Sequence, residues 1–125
     1  MNLQLSLKKK WFDMTKAGVK TEDYREINDY WVRRLINGLL DDEIESFIID
    51  ITKVKLSFEH MRQEYLCSLK EFTQNTMTLG YPKSGDKERI LKLEHKGIEI
   101  RTGNPAWGAE PDKLYFVILH GCSVE

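Results

Sequence analysis

The segment Gly18–Arg25 has the sequence Gly-Val-Lys-Thr-Glu-Asp-Tyr-Arg and joins a predicted helix to a predicted strand. Directly behind its glycine it carries a cation, a carboxylate and a second cation, which are Lys20, Asp23 and Arg25. Residues two apart on a strand lie on the same face, so Asp23 and Arg25 are expected to share a face that Lys20 reaches from the preceding turn. Such dense alternation of charge at a junction between elements indicates a pocket that binds or transforms a ligand.

The residues before this segment predict a strand and a helix. Apolar and polar residues alternate over 3–7, which is the period of a half-buried strand. Ser6 is then expected to cap a helix with one apolar face. The residues of that face are Leu7, Trp11 and Met14. Gly18 follows the last turn, where a residue with positive φ commonly ends a helix.

After the segment, the pattern predicts a strand over about 22–27 and a helix that Asn28 caps. The apolar stripe of that helix is Trp31, Leu35 and Leu39. Trp11 and Trp31 lie in helical stripes, and both are expected to be core residues.

Residues 42–71 are predicted to form a helical insertion, with helices at 42–53 and about 58–70. The β-branched residues of 49–56 also fit a strand, and this alternative stays open. The residues with helical spacing in the first helix are Ile44, Phe47, Ile48 and Ile51. Those expected to face inwards from the second are Met61, Tyr65, Leu66 and Leu69.

From Phe72 onwards the sequence is typical of β structure. Residues 76–79 alternate as a strand, and 90–94 and 98–101 are predicted to form a hairpin around His95-Lys96-Gly97. The continuous apolar segment 115–119 predicts a central strand. Together with the helices, these strands predict an α+β fold in which the sheet curls into a small barrel.

Composition limits the classes of function. Of the 125 residues, 41% are hydrophobic and 31% are charged, which is typical of one soluble globular domain over 1–125. The net charge of −1 argues against a general polyanion binder. Residues 1–40 hold eight Lys and Arg against five Asp and Glu, a balance of +3, and 41–125 hold 11 against 15, a balance of −4. Attraction for phosphate is therefore expected to be local to the first third of the chain.

The sequence shows no cysteine pair, signal peptide or membrane span, and this predicts a cytoplasmic protein. Cys67 and Cys122 are isolated, which favours a reducing compartment, and Cys67 lies in a helical apolar stretch that predicts inert core. No apolar stretch follows Lys8-Lys9-Lys10, and no segment has the length of a membrane span. We expect no membrane contact, metal or cofactor.

Two parts of the chain resemble the ASCH domain, a small β-barrel of the PUA-like superfamily, as found in short bacteriophage and bacterial proteins. The first part, about 3–34, contains the pattern Gly-x-Lys-x-x-acid-x-Arg. The second part, about 80–121, contains Trp107-Gly108-Ala109-Glu110-Pro111 and Tyr115-Phe116-Val117-Ile118. The resemblance implies a PUA-like barrel flanked by helices, with 41–71 inserted between barrel strands.

The resemblance also implies a pocket between the Gly18–Arg25 segment and the Asn104–Glu110 loop. Its expected ligand is a nucleotide, a nucleoside or short single-stranded RNA. The residues expected to bind it are Lys20, Asp23, Tyr24, Arg25, Trp107 and Glu110.

Each of these residue types has a role in such a pocket. Lys20 and Arg25 can donate charge-assisted hydrogen bonds to phosphate or to a base carbonyl. Asp23 can accept from an exocyclic amine, and Tyr24 or Trp107 can stack on a base.

Three alternatives stay open. A hydrolase acting on RNA or modified nucleosides, a ribonuclease or amidohydrolase, would use Lys20 and Asp23 as catalytic residues. The ASCH pattern usually has Glu in place of Asp23, and related proteins that deacetylate acetylcytidine have a nucleophilic Thr there, which Asp23 cannot replace.

A protein-interaction or dimerising module would use the insertion. In the plainest alternative, Lys20, Asp23 and Arg25 are ordinary surface ion pairs.

The histidines and two charged residues of the predicted strand 98–101 are also considered as site residues. His60, His95 and His120 are scattered along the sequence, which argues against a metal site or a catalytic triad. Glu99 and Arg101 are expected either to line the pocket or to pair with each other.

Overall fold

The computed structural model describes residues 1–83 and 85–124. Over these residues the chain forms an α+β fold with a curled five-stranded half-barrel sheet and four helices. The strands are β1 Asn2–Leu7, β2 Glu22–Arg25, β3 Ile36–Asn37, β4 Ser68–Leu69, β5 Gln74–Leu79, β6 Ile90–Thr102 and β7 Leu114–Ser123. The helices are α1 Lys9–Lys16, α2 Asp29–Leu35, α3 Ile44–Thr52 and α4 Phe58–Tyr65. None of the helices described is long and apolar enough to cross a membrane.

The main sheet has the strand order β1-β5-β6-β7-β2. β1 runs parallel to β5, and the other neighbours are antiparallel. Alternate residues of β1 are buried, as its sequence pattern predicts. β7 pairs on both sides and is buried continuously over 115–118, which confirms the predicted interior strand.

Two arginine side chains donate hydrogen bonds to carbonyls of β1, an edge strand of the half-barrel. Arg25 on β2 donates from Nη2 to the Ser6 carbonyl at 3.2 Å, and Arg34 on α2 donates from Nη2 to the Gln4 carbonyl at 3.3 Å. Both guanidinium groups lie over the Trp31 ring, at 5.0 and 5.1 Å from its centroid. An edge strand exposes unpaired carbonyls, and these side chains satisfy two of them on β1.

Two predicted helix signals are confirmed, and two details are wrong. Asn28 caps α2, with its Oδ1 accepting from the Trp31 N–H at 3.0 Å, and Gly18 has a φ of +77° after α1. Ser6 does not cap α1, because β1 continues to Leu7 and the helix begins at Lys9. The second helix ends at Leu35, since the next residues pair as a strand.

The predicted insertion contains its two helices and is closed by a short strand pair that the sequence did not predict. β3 pairs with β4, so that Ile36 faces Leu69. The predicted extension of the second helix to Lys70 is wrong, because Leu66 has a φ of +54° and ends α4 with its side chain 85% exposed. The strand alternative for 49–56 is also wrong, since α3 continues to Thr52.

The apolar face of α3 packs onto the chain's own core. Ile44, Phe47 and Ile51 are buried in one cluster with the apolar residues of β1, β5 and β7. Ile48 is partly buried against the same cluster. These residues therefore cover the sheet and are not free to form an exposed docking face.

The hairpin predicted around His95-Lys96-Gly97 is wrong. Residues 90–102 form one strand of 13 residues, β6. The register between β6 and β7 is irregular on both sides of His95, because the turn-like residues are accommodated as a bulge within a continuous strand. As a result His95 lies opposite His120 on β7.

Candidate functional site

All six residues predicted to bind a ligand line one cavity of about 340 Å³, which we call the first cavity. They are Lys20, Asp23, Tyr24, Arg25, Trp107 and Glu110. β2 contributes three of them, the turn after α1 contributes Lys20, and the loop before β7 contributes Trp107 and Glu110. Trp11, predicted as core, is only half-buried and also lines this cavity.

The turn after α1 holds Lys20 where it can meet β2. The backbone N–H groups of Val19 and Lys20 both donate to the Met14 carbonyl, at 3.0 and 3.1 Å. This closes the end of α1 and leads directly into β2, which begins at Glu22. The ammonium group of Lys20 is thereby brought to Asp23.

Lys20 and Asp23 form a buried ion pair. Lys20 is 2% exposed and Asp23 is 3% exposed, so the interpretation as surface ion pairs is wrong for these two residues. The Lys20 ammonium donates to Asp23 Oδ1 and to the Glu22 carbonyl, the latter at 2.8 Å. Both groups expected to contact a ligand therefore already bind each other.

Burial and pairing shift the pKa values of both groups. Burial lowers the pKa of Lys20, and the neighbouring Asp23 carboxylate only partly offsets this effect. Burial pushes the pKa of Asp23 upwards, but the hydrogen bond from His120 and the charge of Lys20 outweigh it, so the pKa lies below its usual value.

The ion pair continues into a polar network that sequence reasoning missed. His120 Nε2 lies 2.6 Å from Asp23 Oδ2, and His120 Nδ1 lies 2.7 Å from Asn75 Nδ2. Asn75 Oδ1 lies 2.7 Å from His95 Nδ1. Asn75 is 0% exposed, so the network Lys20–Asp23–His120–Asn75–His95 crosses the interior of the sheet from β2 to β5.

The view of the histidines as scattered is therefore wrong for two of the three. His120 follows Phe116 and Ile118 at alternate positions of β7, which places it on their buried face. Extending the predicted strand beyond 119 would have found it. His60 is separate, since it lies on α4 beside Glu64. Within 1–83 and 85–124, no three His, Cys, Asp or Glu side chains come together as a metal site requires.

Arg25 lines the cavity with part of its hydrogen-bonding capacity unused. Its Nε is buried and has no hydrogen-bond partner among the residues described. Nη2 donates to a neutral carbonyl, that of Ser6. Burial lowers the pKa of Arg25, which shows the cost of keeping this charge away from water. An anionic or carbonyl oxygen in the cavity would supply a missing acceptor.

Unlike Arg25, the charged residues near it are paired with residues of opposite charge. Glu22 forms a bidentate pair with Arg101, both N–O distances being 3.0 Å. Arg101 also contacts Glu99 at 3.4 Å, in agreement with the predicted pairing. The Glu110 side chain is 72% exposed and lies 3.8 Å from Lys113, so it forms the solvent-facing wall of the cavity.

Tyr24 fixes the loop that carries Trp107. Its hydroxyl accepts from the Asn104 N–H at 2.8 Å, and its ring packs against Tyr115 with centroids 5.7 Å apart. Burial raises the pKa of Tyr24 to about 12. A Cβ at Gly103 would lie 2.5 Å from the Tyr24 ring, so only glycine allows this approach. Tyr24 thus positions the loop. Trp107 and Trp11 are the further aromatic residues of the cavity, and the Lys10 ammonium lies 4.8 Å from the centroid of the Trp11 ring.

Comparisons with protein-family models, curated proteins and solved structures found no match for this chain. The function is therefore argued from the geometry of the site.

Proposed function

We propose that this chain is an ASCH-like domain of the PUA-like kind that binds a nucleotide or short single-stranded RNA in the first cavity. The observation that supports this proposal most directly is Arg25, a half-buried residue whose buried Nε lacks an acceptor among the residues described. A phosphate or base carbonyl offers such an acceptor in the planar geometry that guanidinium groups favour.

The aromatic residues support the same class of ligand. Trp107 and Trp11 both line the cavity that Arg25 lines. Stacking of a base on an aromatic side chain contributes about 1–3 kcal/mol in single-strand binding. The cavity combines a guanidinium group that has an unused hydrogen-bond donor with two indole rings. This combination suits a ligand that has both a negative group and a planar ring.

The buried ion pair changes the roles expected for two residues. Both carboxylate oxygens of Asp23 already accept, one from Lys20 and one from His120. Lys20 uses two of the three N–H groups of its ammonium on protein acceptors. In the proposal, Asp23 orients Lys20, and the remaining N–H of Lys20 assists Arg25 at the ligand.

A binding titration of fluorescein-labelled single-stranded RNA tests the proposal, with the four ribonucleoside 5′-monophosphates as competitors. Arg25→Gln is expected to weaken binding by about 10- to 100-fold, because a charged hydrogen bond to the ligand is lost. Arg34→Gln is the matched control. Arg34 also lies over Trp31 and donates to a β1 carbonyl, but it is not among the residues lining the first cavity. Equal losses in both variants would show that the edge of the sheet, and not the cavity, controls binding.

A hydrolase is the second candidate, and the lowered pKa of Lys20 favours it. A lysine that loses its proton more easily can act as a general base, while Asp23 and the Glu22 carbonyl hold it in place. Mass spectrometry of modified nucleosides and short RNA after incubation tests this candidate. A product made by the wild type and not by Lys20→Met would support it; product from both would reject Lys20 as the base.

A further inference from the structure

A second and larger cavity, of about 620 Å³, lies at the other end of the polar network. Its lining includes two phenylalanines, two cationic side chains, one carboxylate and one histidine: Phe58, Phe72, Arg62, Lys70, Glu71 and His95. It shares no lining residue with the first cavity. The network therefore connects two separate cavities, with Lys20 and Asp23 at one end and His95 at the other.

The network determines where the protons of its two histidines lie. The Leu119 carbonyl can only accept and lies 3.2 Å from the side-chain amide of Asn75, so the amide nitrogen must face it. This nitrogen also faces His120 Nδ1, which must therefore accept. His120 is then neutral and carries its proton on Nε2, from which it donates to Asp23.

The same reasoning assigns the opposite tautomer to His95, with the proton on Nδ1. With the Asn75 nitrogen on the His120 side, its oxygen faces His95 Nδ1 at 2.7 Å. An amide oxygen only accepts, so His95 Nδ1 must donate. The His95 ring is further held by Phe72, whose centroid lies 5.4 Å away at an interplanar angle of 62°.

His95 Nε2 is consequently left as a free acceptor at the second cavity. It has no partner in the parts of the chain that the structure describes, and it is not among their buried unpaired polar atoms. Burial lowers the pKa of His95, which keeps the ring neutral and its lone pair available at neutral pH.

We propose that the second cavity is a separate ligand site, in which His95 Nε2 accepts a hydrogen bond from an N–H group on a planar heteroaromatic ring of the nucleobase class. Phe58 and Phe72 supply apolar walls for the ring. Lys70 supplies positive charge for an attached phosphate, since its ammonium donates to a neutral acceptor, the Arg33 carbonyl, at 2.9 Å. Arg62 contributes less, because it pairs with Glu59 at 3.2 Å. The choice of nucleobase rests on the proposed function, whereas the free acceptor rests on the network alone.

Nitrogen-15 NMR of the histidine rings tests the acceptor without any substitution. His95 is expected to show a protonated Nδ1 and an unprotonated Nε2, and His120 the reverse. A protonated Nε2 on neutral His95 would overturn the proposal, because no lone pair would then face the cavity.

Calorimetric titration with each ribonucleoside 5′-monophosphate tests the ligand class. The wild type is expected to bind two equivalents, and His95→Phe is expected to weaken one of the two sites by about tenfold. His60→Phe is the matched control, since His60 lies on α4 and is not among the residues lining the second cavity. Unchanged binding in a folded His95→Phe variant, or no binding of any nucleotide by the wild type, would overturn the proposal.

Arg25→Gln separates this proposal from that for the first cavity. If it weakens one site and His95→Phe weakens the other, both proposals hold. If Arg25→Gln changes nothing while His95→Phe weakens one site, the second site stands and the proposed function of the first cavity fails. A short RNA whose affinity falls in both variants would identify the second ligand as another base of the same strand. A fall in Arg25→Gln only would identify it as a free nucleotide.

Discussion

The apolar core beneath α3 and the polar network across the sheet are both buried at their centres, and they are held by different interactions. Phe47 in the core and Asn75 in the network are both 0% exposed. The core is held by packing, which is non-directional and tolerates swaps of similar volume. The network depends on each donor meeting its acceptor.

The difference suggests why the network is there. A buried ion pair is often no more stabilising than well-packed apolar residues of the same volume, so stability alone does not explain Lys20 and Asp23. Both ends of the network line cavities. We infer that the core gives the fold its stability and that the network positions groups for ligands.

Removing one member of the ion pair should have the largest effect. Asp23→Ala leaves a buried ammonium group unpaired and should lower the free energy of unfolding by about 3–5 kcal/mol. The double variant Lys20→Met/Asp23→Leu should recover most of that loss. Urea unfolding measures both, with Asp13→Ala as the control because Asp13 pairs with Lys9 at the surface. An Asp23→Ala loss as small as the control's would contradict the inference of a costly buried charge.

Two residues of β5 allow a direct comparison of the network with the core. Asn75 and Met77 are two apart on this strand, and each is 0% exposed. Asn75→Leu leaves polar groups of His95, His120 and the Leu119 carbonyl unpaired and should cost at least about 2 kcal/mol. Met77→Leu conserves volume and should cost less than about 1.5 kcal/mol. Equal costs by chemical denaturation would show that the network is no more specific than the core.

Acid should weaken the network before it affects the core. Asp23 has a pKa below its usual value in the folded chain, so its contribution to stability is fully present above the unfolded pKa of about 3.9. That contribution is lost as the pH falls through the lower, folded pKa. The difference in unfolding free energy between wild type and Asp23→Asn should therefore shrink between about pH 5 and pH 2. A constant difference across that range would contradict the assignment.

A substitution in the exposed wall of the first cavity should have the smallest effect on ligand affinity. Glu110 is 72% exposed on its side chain, and exposed charges contribute little. Glu110→Gln should change the RNA affinity by less than about fivefold. A larger change in the same titration would mean that this wall contacts the ligand directly.

Local signals in the sequence predicted the α+β class, whereas the resemblance to the ASCH domain implied that the six cavity residues lie together. Alternation predicted β1, the continuous apolar segment 115–119 predicted β7, and Asn28 predicted the start of α2. The bulge in β6 and the β3–β4 pair depend on partners distant in sequence, so local turn signals at Gly97 were misleading. The network was missed for the same reason, since Asp23, Asn75 and His120 are brought together only by the order of the strands.

Titration of the ¹⁵N-labelled chain with a ribonucleoside 5′-monophosphate, followed through its tryptophan indole N–H signals, tests the first cavity most directly. Trp11 and Trp107 line that cavity, and Trp31 lies beside Arg25. We predict saturable shifts of the Trp11 and Trp107 signals in the wild type and in Arg34→Gln, and much weaker shifts in Arg25→Gln. Signals that stay fixed in the wild type, or that shift equally in Arg25→Gln, would contradict the assignment of the cavity as a nucleotide site.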